Sequence, residues 1–428
     1  MKKFLSPSII VLLLSFIIFG SISVDRGQDN GWDLKNYHFY NPYSFFNDRL
    51  GFDYAPAQVH TYLNPTADFM FYFFVMTFPP KLVGFLMGGI HGLNFWLLFL
   101  ISYYVLKRIY PRSNSVEKKG FDNAVGGDKG DDFFRRDRVI LGFSFLIGVI
   151  GLYGPVTFFE LGLTYNDNLV SLFILGAILV LVQKMVLERN YGLLEMKKEL
   201  IISGILVGIG IGLKLTQVSY GIGIILAIGV FKGDLRVKLV SISLIMVSMF
   251  VGVLISSGYW MFLMWTKFEN PIFPFYNEVF RSPYYTLNNI NILRLNPIPR
   301  GLIENLLYPF YFFFDPEFSD VRSRHIRDAR YAIVYSLLIL SIFRSLRTNF
   351  RRNFDSVIRK NKDIFARVVL ALLLYYTAIF PVMQVKRILE RRLTFLDLTS
   401  HLSTVNVLAY LIYNLADYFH HQSLFKPS

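Results

Sequence analysis

Leu239-Val-Ser-Ile-Ser-Leu-Ile-Met-Val-Ser-Met-Phe-Val-Gly-Val-Leu-Ile-Ser-Ser-Gly-Tyr-Trp-Met-Phe-Leu263 contains no charged side chain. At about 1.5 Å per residue, a helix of this length covers the ~30 Å hydrocarbon layer of a bilayer. Comparable apolar blocks, roughly 15 to 25 residues each, recur along the chain and are separated by short basic gaps. The whole chain has 428 residues, 54% of them hydrophobic and 17% charged. A soluble protein carries about 25% charged residues. The blocks exclude a soluble enzyme and a disordered chain, and they are too long and too continuous for the alternating strands of a β-barrel. The fold class that follows is an all-α polytopic membrane protein.

Cysteine is absent, so disulfides, thiolate catalysis and cysteine-based metal sites are excluded. The net charge of +14 does not point to nucleic acid, because the basic residues sit in the gaps between apolar blocks. The start, Met1-Lys2-Lys3 followed by Ile9 to Val24, has the form of a signal peptide, with Ser21-Ile22-Ser23 resembling a cleavage site. With membrane spans throughout the rest of the chain, an uncleaved first helix is the better reading. It puts the N-terminus in the cytoplasm and residue 25 on the outer face.

Loop charges thread the remainder. The Gly- and Asp-rich linker 107–138 and the segment 344–367 are strongly basic, and smaller basic gaps lie at 184–198 and 232–238. All four fall on the cytoplasmic side if spans lie near 8–24, 82–106, 139–158, 168–187, 200–213, 215–231, 239–263, 331–343 and 366–384. A weaker span near 402–414 is a further candidate. Residues 66–80 are apolar but end at Pro79-Pro80, and counting them as a span would turn the linker outward. They are read as re-entrant or lying on the membrane surface. The outer face then receives a long first loop (25–66), short turns near 159–167 and Lys214, and a segment 266–330 that includes amphipathic Leu302 to Phe314.

The first loop interleaves polar groups with aromatics: Gly31-Trp32-Asp33-Leu34-Lys35-Asn36-Tyr37-His38-Phe39-Tyr40-Asn41-Pro42, then Arg49, Asp53, Gln58, Thr61, Tyr62 and Asn64. Such a mixture suits sugar rings, which have apolar faces and hydroxyl edges. It equally suits an interfacial helix with its aromatic belt. A helical spacing places Asp33, Asn36, Tyr37 and Tyr40 on one face.

An acidic residue soon after the first membrane helix, at the head of a large outer loop, resembles the GT-C glycosyltransferases, multi-spanning enzymes that take sugars from polyprenyl-phosphate or polyprenyl-diphosphate carriers. The phrasing Asp33-Leu-Lys-Asn-Tyr-His38 with Asn41-Pro42, then Ala55-Pro-Ala-Gln58 and Thr61-Tyr-Leu-Asn-Pro65, is similar to uncharacterised bacterial members. Thr164-Tyr-Asn-Asp-Asn168, Gly212-Leu-Lys-Leu-Thr216 and Asn270-Pro-Ile-Phe-Pro274 extend the likeness over residues 1–345. It implies a bundle of about nine to eleven transmembrane helices, with interfacial helices on the first loop. It also implies a catalytic domain over 1–385, a weakly patterned region at 386–428, and a site on the outer face of a bacterial plasma membrane. Single displacement by such an enzyme would invert the anomeric centre.

The resemblance gives Asp33 the catalytic place, as base toward the acceptor hydroxyl or as a metal ligand; by residue type it is also a good helix N-cap. Asp167 occupies the position of a further acid in many relatives, and a cap reading is nearly as good. The two together would offer oxygen ligands to Mg²⁺ or Mn²⁺. Lys214 interrupts a Gly-rich apolar stretch at the membrane boundary, where an ionisable residue is a functional candidate by default. It would meet the phosphate of a lipid carrier, or snorkel to headgroups. Lys35, Asn36, Tyr37, His38, Gln58 and Arg322 are candidates for holding the substrate or its phosphate. The glycines of Gly208-x-Gly210-x-Gly212 do not have P-loop spacing and permit close helix packing instead. His91 and Asn94, mid-span, are expected interhelical hydrogen-bond partners.

These readings lead to a transferase whose partners are a polyprenyl-phosphate-linked sugar and membrane lipids. The alternative is a transporter or flippase of lipid-linked saccharides, which would need polar groups at mid-membrane depth and often internal repeats. A non-catalytic assembly protein would leave Asp33 and Lys214 unexplained. The basic run Lys386 to Arg392 falls outside by this threading, against the charge bias.

Overall fold

The computed structural model describes residues 2–53, 55–109, 129–152, 154–187, 192–231, 234–287 and 302–314, and most of 328–340. Among these residues no strand forms, and the chain is almost entirely helical. The helices are α1 (Lys2–Arg26), α2 (Tyr40–Phe46), α3 (Phe69–Thr77), α4 (Pro80–Ile109), α5 (Lys129–Leu152), α6 (Pro155–Phe159), α7 (Asp167–Leu187), α8 (Lys197–Leu213), α9 (Val218–Val230), α10 (Leu235–Phe268), α11 (Asn277–Phe280) and α12 (Leu302–Phe314). Four helical stretches are long and apolar enough to cross a membrane: Pro7–Arg26, Pro80–Arg108, Asp167–Val186 and Leu235–Phe268. The spans expected near 366–384 and 402–414, most of the linker 107–138, Arg322 and the region 386–428 lie outside the described residues.

The long helices pack side by side. α1 lies on α4, α4 on α5 and α7, α7 on α8, and α8 on α10 and α9. Two of these contacts are built from glycines four residues apart, as expected where backbones must approach closely in lipid. On α4, a Cβ at Gly88 would strike Ser23 and lie 2.7 Å from the Phe19 carbonyl, and one at Gly92 would lie 2.8 Å from the Ser15 carbonyl. On α8, Gly204 and Gly208 meet α10 at Ile245, Ser248, Met249 and Gly252.

α10 shows the layout that lipid selects. Its buried residues include Ser241, Ile245, Ser248, Met249, Gly252, Ser256 and Trp260, at helical spacing, whereas Val247, Phe250, Leu254, Ile255, Phe262 and Trp265 are exposed. Small and hydroxylated residues face the neighbours while large apolar ones face outward. In water the reverse arrangement would be required. Mid-helix Asn94 finds partners across helices, as expected from sequence, whereas His91 is met by the turn before α7. Asn94 Nδ2 donates to the Asn168 carbonyl at 2.7 Å, Ser171 Oγ donates to Asn94 Oδ1 at 2.8 Å, and the Gly162 N–H donates to His91 Nδ1 at 3.1 Å.

Several element boundaries differ from the hydropathy reading. α10 has 34 residues against an apolar run of 239–263, because Arg236, Lys238 and Lys267 are good helix formers and let the helix run past the hydrocarbon edge at both ends. α5 stops at Leu152 instead of 158, since Pro155 supplies no N–H and disfavours helix just before it. The run expected near 215–231 splits into a 3₁₀ turn at Leu215–Gln217 and the 13-residue α9. The ambiguous 66–80 stretch becomes a 3₁₀ turn at Pro65–Asp68 followed by α3, whose nine residues cover only about 14 Å and cannot cross a bilayer. The amphipathic Leu302 to Phe314 forms α12, with Tyr308 buried and Ile303, Leu306, Leu307 and Phe314 exposed.

Candidate functional site

The first loop is tied to the turn before α7, to the end of α8 and to α10. Asn64 is the fastener. Its Nδ2 donates to the carbonyls of Gly212, at the end of α8, and Ser256, in α10, at 2.9 and 3.0 Å. Its Oδ1 accepts from the Thr66 N–H and hydroxyl. Trp260 Nε1 donates to the Tyr62 carbonyl at 3.1 Å. Asp29 accepts from the Thr164 N–H and hydroxyl at 3.0 and 2.8 Å, which ties the start of the loop to the turn before α7.

Within this loop Asp33 is 5% exposed. It precedes a π-helical turn, Leu34–His38, and makes no side-chain cap hydrogen bond to it. The cap role therefore does not account for its burial. The wider turn, closed by the Phe39 N–H donating to the Leu34 carbonyl at 3.2 Å, also breaks the expected face of Asp33, Asn36, Tyr37 and Tyr40. Asp33 and Tyr37 stay together. Asn36 instead donates to the Trp32 carbonyl, and Tyr40 turns to Asp53, which also pairs with Arg49. Lys35 and Gln58 are exposed.

Tyr37 is the hub. Burial pushes its phenol well above the ordinary value of 10, and the charges of Asp33 and Asp68, the Tyr165 ring and the charge of Asp167 push it the same way. Those groups come from both ends of the first loop and from the turn before α7. Tyr37 stacks on His60 at 4.9 Å between ring centroids and lies 4.1 Å from His38. Its phenol is therefore held in the neutral, protonated form among carboxylates. The folded state keeps a proton that the unfolded chain releases above its ordinary value, so stability should fall as pH rises beyond that point. In a spectrophotometric titration to about pH 11, wild type and Tyr37→Phe should show the same tyrosinate signal while both remain folded. A larger wild-type signal would contradict the burial.

Lys214 ends α8 in an extended conformation, and its Nζ lies 2.6 Å from Asp167 Oδ2 at the start of α7. The side chains are 26% and 31% exposed. Lys214 thus turns toward Asp167 instead of snorkelling to headgroups. Its ammonium already neutralises Asp167, so the Asp33–Asp167 pair is a poor fit for Mg²⁺ or Mn²⁺. Among the described residues no group of three His, Asp or Glu could hold a metal ion.

Sequence reasoning did not single out Asp68. Its carboxylate accepts from His38 Nδ1 at 2.7 Å and from Asn166 Nδ2 at 2.8 Å, and both His38 and Asp68 are 4% exposed. The available signal was a lone acid directly before the aromatic run Phe69-Met-Phe-Tyr-Phe-Phe74, where an ionisable group is costly. Asp33, Tyr37, His38 and Asp167, with Lys214 held by Asp167, thus share one neighbourhood. Lys35, Asn36 and Gln58 do not take part in its contacts. No protein-family model, curated protein or solved structure matches the chain.

Proposed function

We propose that the chain is a GT-C-type membrane glycosyltransferase that moves a sugar from a polyprenyl-phosphate carrier to a hydroxyl acceptor. The supporting observation is the pairing of the Lys214 ammonium with Asp167, at one end of an apolar bundle, close to Tyr37 and the buried carboxylates Asp33 and Asp68. Charge bias favours that end lying outside the cell, and the family resemblance implies a bacterial plasma membrane crossed about nine to eleven times. In this reading Lys214 receives the phosphate oxygen that leaves the anomeric carbon, where a cation counts most as negative charge develops. Asp167 holds the ammonium in place until then. Asp33 faces the acceptor hydroxyl and orients it, and Tyr37 supplies a neutral donor. The site needs no nucleotide, consistent with a chain that has no Walker-type sequence.

The test uses the purified full-length chain in nanodiscs with a panel of polyprenyl-phosphate hexoses and pentoses, following release of polyprenyl phosphate. Asp33→Asn should lower turnover by roughly 10²- to 10³-fold without changing the thermal midpoint by more than a few degrees. Equal turnover by a folded Asp33→Asn protein would remove Asp33 from the mechanism.

A further inference from the structure

The proposed reaction has so far made no use of the His38–Asp68 pair. The two residues come from opposite ends of the first loop: His38 closes the π-helical turn, and Asp68 closes the 3₁₀ turn that leads into α3. An ionised carboxylate only accepts hydrogen bonds, so Nδ1 is the donor in the 2.7 Å contact. In the neutral ring this leaves the lone pair on Nε2. Nε2 is buried and has no hydrogen-bond partner among the described residues. Leaving a buried polar atom unpaired is costly, a cost that is kept where something else completes the bond.

The surroundings suit an exchangeable proton. Tyr37 covers the imidazole from its own turn, and Tyr165 meets it edge-on at 6.2 Å between ring centroids. Asn166 holds Asp68 from the turn before α7. Asp33 and Asp167 flank Tyr37, Lys214 reaches in from the end of α8, and His60 stacks on Tyr37.

We propose that His38 is the proton-accepting group of this site, with Asp68 as the positioning residue that fixes its tautomer. The acceptor's identity as a hydroxyl rests on the transferase reading above. As the hydroxyl oxygen forms its bond to the anomeric carbon, its proton passes to Nε2. The bond from that carbon to the phosphate oxygen breaks, and its electron pair leaves with the phosphate toward Lys214. Asp33 then orients the hydroxyl and takes no proton, so removing its charge and removing the imidazole have different pH signatures.

Two measurements on the full-length chain in nanodiscs decide this. In ¹⁵N-histidine spectra at alkaline pH, with His38→Gln and His38→Asn identifying the resonance, wild type should show Nδ1 protonated and Nε2 bare. Asp68→Asn should move part of the proton to Nε2. In turnover of polyprenyl-phosphate sugars, His38→Gln should lose at least 100-fold and the acid limb of the pH–rate profile, and Asp68→Asn at least tenfold. Asp33→Asn should keep that limb. A folded His38→Gln protein within threefold of wild type, or an Nε2-protonated ring in wild type, would overturn the proposal. If wild type consumes none of the donors, the transferase reading falls, and the tautomer still decides the pair: a bare Nε2 upholds it and a protonated one ends it. If His38 variants do not fold, Asn166→Ala serves instead; it should loosen Asp68 and shift the tautomer, and an unchanged spectrum would count against the pair.

Discussion

A Gly208→Leu variant should fail to reach the folded bundle. A Cβ at Gly208 would strike the Met249 carbonyl oxygen, lie 2.8 Å from its carbon and 2.9 Å from the Gly252 Cα. From the other helix, a Cβ at Gly252 would strike the Ile205 carbonyl and lie 2.8 Å from the Ile209 nitrogen. These neighbours are backbone atoms, so no rotamer change relieves the clash. Leucine would force α8 and α10 apart and open the core formed by Val207, Ile245, Met249 and Leu200. Overpacking and the resulting void together should cost roughly 4 kcal/mol or more, a large part of a stability of about 5–15 kcal/mol. Gly142→Leu on α5 is the control, because nothing lies within 4 Å of a Cβ there. Size-exclusion chromatography in mild detergent should show Gly142→Leu monodisperse and Gly208→Leu aggregated or absent. A well-folded Gly208→Leu protein would show that the two helices do not touch this closely.

The second large effect concerns Lys214→Met. The substitution keeps the length and apolar stem of the side chain but removes the ammonium 2.6 Å from Asp167. Losing a hydrogen bond to a charged group that is about two-thirds buried should cost about 1–3 kcal/mol of folding stability. The effect on sugar transfer should be larger, roughly 10²- to 10³-fold. The ammonium acts on charge that appears only as the phosphate departs, so kcat should carry most of the loss and KM little of it. Lys214→Arg should retain part of the activity, since a guanidinium also neutralises phosphate oxygens. Donor turnover with and without saturating substrate separates the two parameters. A Met variant with unchanged kcat would assign Lys214 to holding α7 against α8 and nothing more.

What could be read from the chain, and what could not, divides by the range of the forces involved. Hydropathy registers the apolar cores of α1, α4, α7 and α10, because partition into hydrocarbon depends on local composition. The run Gly208-x-Gly210-x-Gly212 announces close helix contacts, but not that Gly208 and Gly212 would meet α10 and Gly210 α7. Lys214 is legible because charge at the edge of an apolar run is costly, Asp33 only through the family resemblance of the first loop, and Asp167 through its place at a helix mouth. Asp68 escaped because its neighbours made the segment look like a membrane-surface stretch. Its significance depends on His38, thirty residues earlier, and on Asn166, almost a hundred later. Nor does spacing predict the π-helical turn that separates Tyr40 from Tyr37, since a 3.6-residue period was assumed there.

The length of α10 has a geometric consequence. Ser256 shares Asn64 with Gly212, so it marks the level of Lys214, and the helix continues from there to Phe268. Those further turns rise about 18 Å above that level. Phe268, Phe273, Tyr62 and Tyr285 stack against this extension into a rigid parapet. On the proposed topology this extension carries its aromatic cluster past the level of the lysine, away from the apolar middle of the bundle.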